Sequence, residues 1–493
     1  MIAQVKRFIP AILFFISGTY YYLLSAKIFT WVYTSVDSGD WLSLLHWWYI
    51  PHRFGKPLLI LYIRSLSWIP VDDVTKLTVA MAVIPGAITV AFTYLIALRM
   101  TGKIRLAIVA ALVLMGAVIF TTQTGVVEQY TFTAMFVTIA FWFHIKGSKA
   151  GTLVFLGLAT ATHIVGAIFF VIWMIACWNE RKEWLKLSWV YFVTGILPYS
   201  LLFVMMANPD VPRLHTGGLS LGAVTEYFLS GDAISAPMAL VAVPARLLEV
   251  LRIILTTLGI AIVPFIIGIK SLGRREKLVL ALMGFVAWFW VASFYPSVWK
   301  YACFVLPLIA AYVAVGLSKM ARWHTVAVVI CAVLLIVVNS VYFNTDKLAR
   351  ETPTASNYYE AVWALPDGAA VVTSRGGAYG FAFHYVLSKG KDIIPLAQYN
   401  PFDMNTYEQR PSDQRYQDCL EWIERTYGIE GDNMFEIIEY AQAQGLEIYY
   451  GAILGSTWAN MFETEDANEV PSRIISMNTT PDFLKDGIYE DNG

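Results

Sequence analysis

V-D-S-G-D-W-L-S-L-L-H-W-W-Y-I-P-H-R-F-G-K-P-L-L-I, residues 36–60, follows directly on the first long apolar run and is dense in titratable groups. Asp37 and Asp40 bracket a Ser-Gly, His46 and His52 follow, and then come Arg53, Lys56 and Pro57. Charged side chains at the mouth of an apolar helix are costly to desolvate. They mark either a functional site or an ordinary wet loop at a membrane surface. What surrounds the stretch decides between the two.

Upstream, Lys6 and Arg7 precede the apolar run 9–29 with no small-residue cleavage signature, which reads as a retained first span. Downstream, apolar runs fall at 77–98, 105–122, 131–146, 150–161, 163–178, 186–206, 249–270, 277–294, 302–317 and 324–343. Together they make about eleven transmembrane helices by length and hydropathy. Of the 493 residues 57% are hydrophobic and 14% charged, where soluble domains carry about a quarter charged residues. The chain reads as a polytopic α-helical membrane protein with membrane lipid as its solvent. A formal net charge of −1 offers no basic field for phosphate backbones, which excludes a nucleic-acid partner. Cys177, Cys303 and Cys331 sit in apolar runs and only Cys419 in polar sequence, so neither a disulfide framework nor a zinc spacing is present.

Orientation follows from the basic loops. Lys6/Arg7, Arg99/Lys103/Arg105, Lys146/Lys149, Arg181/Lys182/Lys186, Lys270/Arg274/Arg275/Lys277 and Lys319/Arg322 all fall on one side if the spans alternate, and that side is cytoplasmic. Reading 150–178 as a single span would invert every later loop. Two short helices turning near Thr162-His163 keep the basic loops together, an arrangement allowed where the turn is buried in protein. The N-terminus is then cytoplasmic. The opposite face collects Asp37, Asp40, His46, His52, Glu128, His163, Arg213, His215, Asp232 and Lys300, so function is expected there.

Residues 41–70 depart from a plain span. Trp41, Leu42, Leu44, Leu45, Trp48 and Tyr49 recur at near-helical spacing, and 58–68 forms a second apolar stripe interrupted by Arg64. This predicts one or two amphipathic helices on the outer face with the aromatics at headgroup depth. Pro51 and Pro57 flank a rigid turn between them. From about residue 345 the composition turns polar and acidic. Residues 369–373, 392–396 and 446–450 read as strands, and 377–389, 412–425 and 433–443 as helices. The division is thus a transmembrane domain over 1–344 and a soluble extracytoplasmic α/β domain over 345–493. Ser374-Arg375-Gly376-Gly377 lacks any phosphate-loop pattern and reads as a tight turn, and Asn478-Thr479-Thr480 is a glycosylation acceptor pattern.

Several of these stretches resemble a known family. V-D-S-G-D-W-L followed by I-P-H-R-F-G-K-P-L-L resembles the D-S-G-E … H-P-P-G-Y-P-L signature of multipass GT-C-type glycosyltransferases related to protein O-mannosyltransferases. Q-T-G-V-V-E-Q-Y-T-F (123–132) is similar to that family's outer-loop E-x-Y segment, and G-L-A-T-A-T-H (157–163) to its G-L-x-x-x-x-H turn. W-K-Y-A-C-F-V-L-P (299–307) is similar to the start of a late span in many GT-C enzymes, while 374–385 matches the soluble tail only faintly. Asp40 stands where the signature has Glu, Arg53 replaces the first Pro after His52, and Lys56 replaces the Tyr before Pro57. The last two changes add positive charge.

The resemblance implies a polyprenyl-phosphate-linked sugar donor and an acceptor hydroxyl on a protein, a glycan or a lipid. The phosphate leaving group is already stable as an anion, so the chemical demand falls on removing the acceptor proton. Asp37 is the candidate general base, a role the resemblance also gives it; the competing role is to cap the following helix. Asp40 and Glu128 are candidates to orient the acceptor or to hold a divalent ion, and metal dependence stays open. Lys300 beside Tyr301, with Arg53, Lys56 and Arg252, are candidates for the donor phosphate. For Lys300 the competing role is a snorkelling lysine. His52 and His163 are candidates for sugar or phosphate contacts, or structural histidines. The membrane is the cell membrane in a prokaryote and the endoplasmic reticulum in a eukaryote. A transporter or flippase for a lipid-linked or polar solute is the main alternative, and an inactive scaffold the third. Charges gathered at one face rather than paired at the midplane favour the enzyme.

Overall fold

The structure is a computed structural model. It describes residues 2–28, most of 38–48, 56–207, most of 255–284, 300–342 except 301, and in the tail parts of 363–397, 424–451 and 474–476. Helix α1 (Ile2–Ile28) leaves Phe8, Ile12, Phe15 and Ile16 exposed and turns Tyr21 inward onto Phe120. The long helix α15 (Arg322–Tyr342) likewise exposes Trp323, Val326, Ile330, Leu334 and Val338. Water would not tolerate such continuous apolar faces; lipid does. Among the described residues four helical stretches are long and apolar enough to cross a membrane: Phe8–Ser25, Asp73–Thr101, Trp178–Met205 and Arg322–Val341. Shorter apolar helices at Pro57–Leu66, Lys149–Thr162, Val165–Ala176, Gly259–Lys270 and Leu306–Leu317 accompany them. The expected run 277–294 lies mostly outside the described residues.

The core helix is α5 (Ile84–Thr101), which continues the short α4 (Asp73–Leu77) through a π-helical turn at Thr78–Val83. Around it pack α1, α6 (Ile104–Gly116), α8 (Gln129–Ile145) and, further along the chain, α14 (Leu306–Leu317). The apolar run 105–122, expected as one span, is bent by 69° at Ala117, where α6 gives way to α7 (Val118–Thr124). The bend leaves carbonyls at the end of α6 without helical partners, and side chains meet two of them. Thr121 Oγ1 donates to the Met115 carbonyl at 2.8 Å and Asn339 Nδ2 to the Gly116 carbonyl at 3.2 Å.

The break expected at Thr162-His163 is present. Helix α9 (Lys149–Thr162) ends there, His163 is extended at φ −157°, and α10 (Val165–Ala176) restarts and packs back on α9. The chain returns through α11 (Arg181–Tyr191) and α12 (Ser200–Ala207). Gly166 makes the hairpin close: a Cβ there would run into the backbone of Ala159 and Thr160.

Residues 38–66 differ from the expectation. Helices α2 (Ser38–Ser43) and α3 (Pro57–Leu66) are present, yet Trp41, Leu42, Leu44 and Leu45 are buried in protein, while Trp48 is open and Tyr49 lies outside the described residues. The reason lies in Arg64, whose Nη1 donates to the carbonyls of Leu44 at 3.2 Å and Leu45 at 2.6 Å. It holds the end of α2 against α3 and turns the Trp41 side inward. Pro57 at the first helical position, after Lys56, gives α3 its pre-organised start.

Helix α13 (Ile262–Lys270) and α14 meet backbone to backbone. A Cβ on Gly316 would strike the Pro264 carbonyl, and one on Gly268 the Tyr312 carbonyl. Gly316→Val therefore forces the helices apart, an overpacking cost of about 1–3 kcal/mol. It should melt earlier in detergent than wild type, while Gly284→Ala, with open space around it, should not. Circular dichroism against temperature reads the difference, and equal melting would contradict the close approach.

In the tail, β1 (Ala369–Val372), β2 (Ile393–Ala397) and β3 (Ile448–Gly451) fall where strands were expected, and β4 (Ile474–Ser476) is an addition. The order is β2-β1-β3-β4, with β1 parallel to β2 and β3, and β4 antiparallel to β3. Parallel neighbours need crossover connections, which the intervening segments are long enough to supply. The expected helices there, and the turn 374–377, lie largely outside the described residues.

Candidate functional site

The loop between α7 and α8 ends on Glu128, extended at φ −139° and ψ 167°, which places a carboxylate at the positive end of α8. Glu128 is only 1% exposed. Its Oε1 accepts from Lys300 Nζ at 2.7 Å, and these partners are 172 residues apart in the chain. The ammonium also lies 5.6 Å from the centre of the Tyr130 ring, which attracts a cation to its face. Tyr130 in turn stands 5.8 Å from His163 and 6.0 Å from Phe304, and His163 stands 6.0 Å from Phe304. Phe169 closes the group edge-on against Phe304.

His163 has a second duty. Its Nδ1 accepts the Val165 N–H at 3.2 Å and so caps the start of α10. In the neutral ring the proton then sits on Nε2. Thr133 and Thr162 hydroxyls meet at 3.1 Å, pinning the second turn of α8 to the last turn of α9. Three separate stretches of sequence, 123–132, 157–163 and 299–307, thus converge on one cluster. Around its loop, Gln123 and Gln129 are each 2% exposed, and among the described residues their Oε1 atoms meet no hydrogen-bond donor.

Of the candidate site residues, Glu128, His163 and Lys300 are brought together. Lys56 is buried with its Nζ 4.9 Å over the Trp41 ring, and α3 meets α8 through Tyr62 and Phe132, 5.0 Å apart. Asp40 falls on α2. Asp37, His52, Arg53, Arg252 and Tyr301 lie outside the described residues. Tyr130, Phe304 and the two glutamines fall inside the stretches 123–132 and 299–307 but are not among the candidate site residues; the signal for Tyr130 is the E-x-Y pattern that it completes with Glu128. Among the described residues no three His, Cys, Asp or Glu side chains gather as a metal site.

The arrangement presents a partly exposed Lys300 ammonium that an anion can meet, set over a buried aromatic group and two buried glutamine carbonyls. No protein-family model and no curated protein matches the chain. Its fold does match two crystal structures of ArnT from Cupriavidus metallidurans. The apo form aligns at a TM-score of 0.59 and 11% identity, over 97% of this chain and 98% of that one. The form bound to undecaprenyl phosphate aligns at 0.57 and 12%, with the same coverage. At such low identity the likeness speaks for the fold alone, and the chain has the multipass helical fold seen in ArnT.

Proposed function

We propose that the chain is a membrane glycosyltransferase that moves a sugar from a polyprenyl-phosphate donor to an acceptor hydroxyl on the extracytoplasmic face, within the O-mannosyltransferase-like branch of GT-C enzymes. The observation that carries this reading is the convergence of Glu128, Lys300 and the Tyr130–His163–Phe304 group. The undecaprenyl phosphate in one ArnT structure supports the donor class.

In this mechanism Lys300 takes the donor phosphate as a point charge, with Arg53, Lys56, Arg252 and Tyr301 assisting. Glu128 holds the ammonium until the donor arrives. Asp37 accepts the acceptor proton as the new C–O bond forms, and the C–O bond to phosphate breaks with its electron pair on the leaving oxygen. Asp40 orients the acceptor. His52 and His163 take the sugar or phosphate contacts. In this reading the soluble tail selects the acceptor. Purified full-length protein given labelled polyprenyl-phosphate sugars and a mixture of protein, glycan and lipid acceptors should release polyprenyl phosphate and label one acceptor class. Solute movement across vesicles without any labelled product would replace this reading with transport.

A further inference from the structure

Helix α8 carries the Glu128 cluster at its start and His144 at its other end, 17 residues or about 25 Å away. At that far end the ends of α5, α8, α10 and α13 surround a cavity of about 730 Å³. Pockets of this size hold drug-sized ligands. The basic loops place this mouth on the cytoplasmic side.

Its lining has a particular balance. Within the lining Lys149 is ion-paired with Glu180 at 2.8 Å and the two charges cancel, while Glu183, which also meets Lys149, lies outside the lining and is open to solvent. Arg99 and Glu276 also line the cavity, and among the described residues neither enters an ion pair. One guanidinium and one carboxylate remain, with His144 and the indole of Trp184 in the wall. Such a lining suits neither a plain anion nor a plain cation, because each would face a like charge. It suits a molecule carrying both, the phosphate meeting Arg99 through paired N–H donors and an amine meeting Glu276.

The position narrows the source. Cys177 lines the cavity, while Ile175 and Trp178, its near neighbours, are exposed outward, as are Leu185 and Trp189 on the next helix. The apolar belt ends at this rim and the basic loops begin, which is the depth of lipid head groups. We infer that the cavity is a binding site for a phosphate–amine zwitterion of the phosphoethanolamine type, presented by a phospholipid of the adjacent leaflet. This site does not depend on the transfer chemistry at the other end of the bundle.

The test uses delipidated full-length protein in detergent, followed by thermal unfolding and native mass spectrometry. Phosphatidylethanolamine should raise the unfolding midpoint and remain bound, and phosphatidylglycerol should do so more weakly. Arg99→Gln and Glu276→Gln should each weaken the apparent affinity for phosphatidylethanolamine about tenfold or more, since each loses a charge-assisted contact. Both residues sit at the rim rather than in the core, so both variants should fold, with unligated midpoints near wild type. Soluble glycerophosphoethanolamine is the third arm. An equal response to it keeps the zwitterion chemistry and moves the source from lipid to solute. Equal stabilisation by phosphatidylglycerol, an unchanged response in both variants, or no response to either ethanolamine compound would overturn the site.

Discussion

Lys300→Gln is expected to lower sugar transfer by about 10²–10³, the usual effect of removing one preorganised partner of a developing anion. It should also weaken binding of polyprenyl phosphate itself. A loss of activity alone would be ambiguous, because Lys300 neutralises a carboxylate that is almost fully buried. Removing one member of a buried pair costs about 3–5 kcal/mol, and here less, since the Lys300 side chain is 24% exposed. The double replacement Lys300→Gln with Glu128→Gln separates the two effects. It removes both charges, so the melting temperature should return toward wild type while donor binding and transfer stay low. Lys300→Arg should keep a large share of binding. If the double variant transfers sugar at the wild-type rate, Lys300 is an interior counter-charge with no part in donor recognition.

Asp37→Asn is the second change with a large expected effect. A positioned base contributes about 10²–10⁴ to a rate, and Asn has nearly the size of Asp without the charge. The competing role for Asp37 is to cap α2, which begins at the next residue, Ser38. Asn and Asp cap helices about equally well, so the substitution leaves a cap in place and removes only the base. The expected result is a fall in transfer of that size with donor binding and melting temperature unchanged. Asp37→Ala should lose both the cap and the base and melt earlier as well. Transfer at wild-type rates by the Asn variant would remove Asp37 from the chemistry.

The sequence was most informative where a pattern is local. Strands at 369–372, 393–397 and 448–451 follow from short apolar runs between turn residues. The break at His163 followed from charge bookkeeping over whole loops rather than from any local signal. What stayed hidden depends on partners far apart in the chain. Hydropathy sees an apolar run at 105–122, but it cannot see that Thr121 and Asn339 stand ready to satisfy a bend at Ala117. Trp41 looks interfacial because its spacing is amphipathic, and it is buried because Arg64 draws its turn onto α3. Glu128, His163 and Lys300 were each visible as residues out of place in apolar surroundings. Their meeting was not, and the aromatic residues joining them looked like any other core.

The short helices on either side of His163 have a consequence for the surrounding bilayer. With 14 and 12 residues they reach about 21 and 18 Å, well under the roughly 30 Å of hydrocarbon that a lipid bilayer presents. Lipids beside a short wall adapt by thinning, so the membrane surface dips at this corner. Under the proposed function, thinning beside this corner would bring a lipid-borne phosphate toward the Lys300 ammonium while its chain stays among the surrounding lipids.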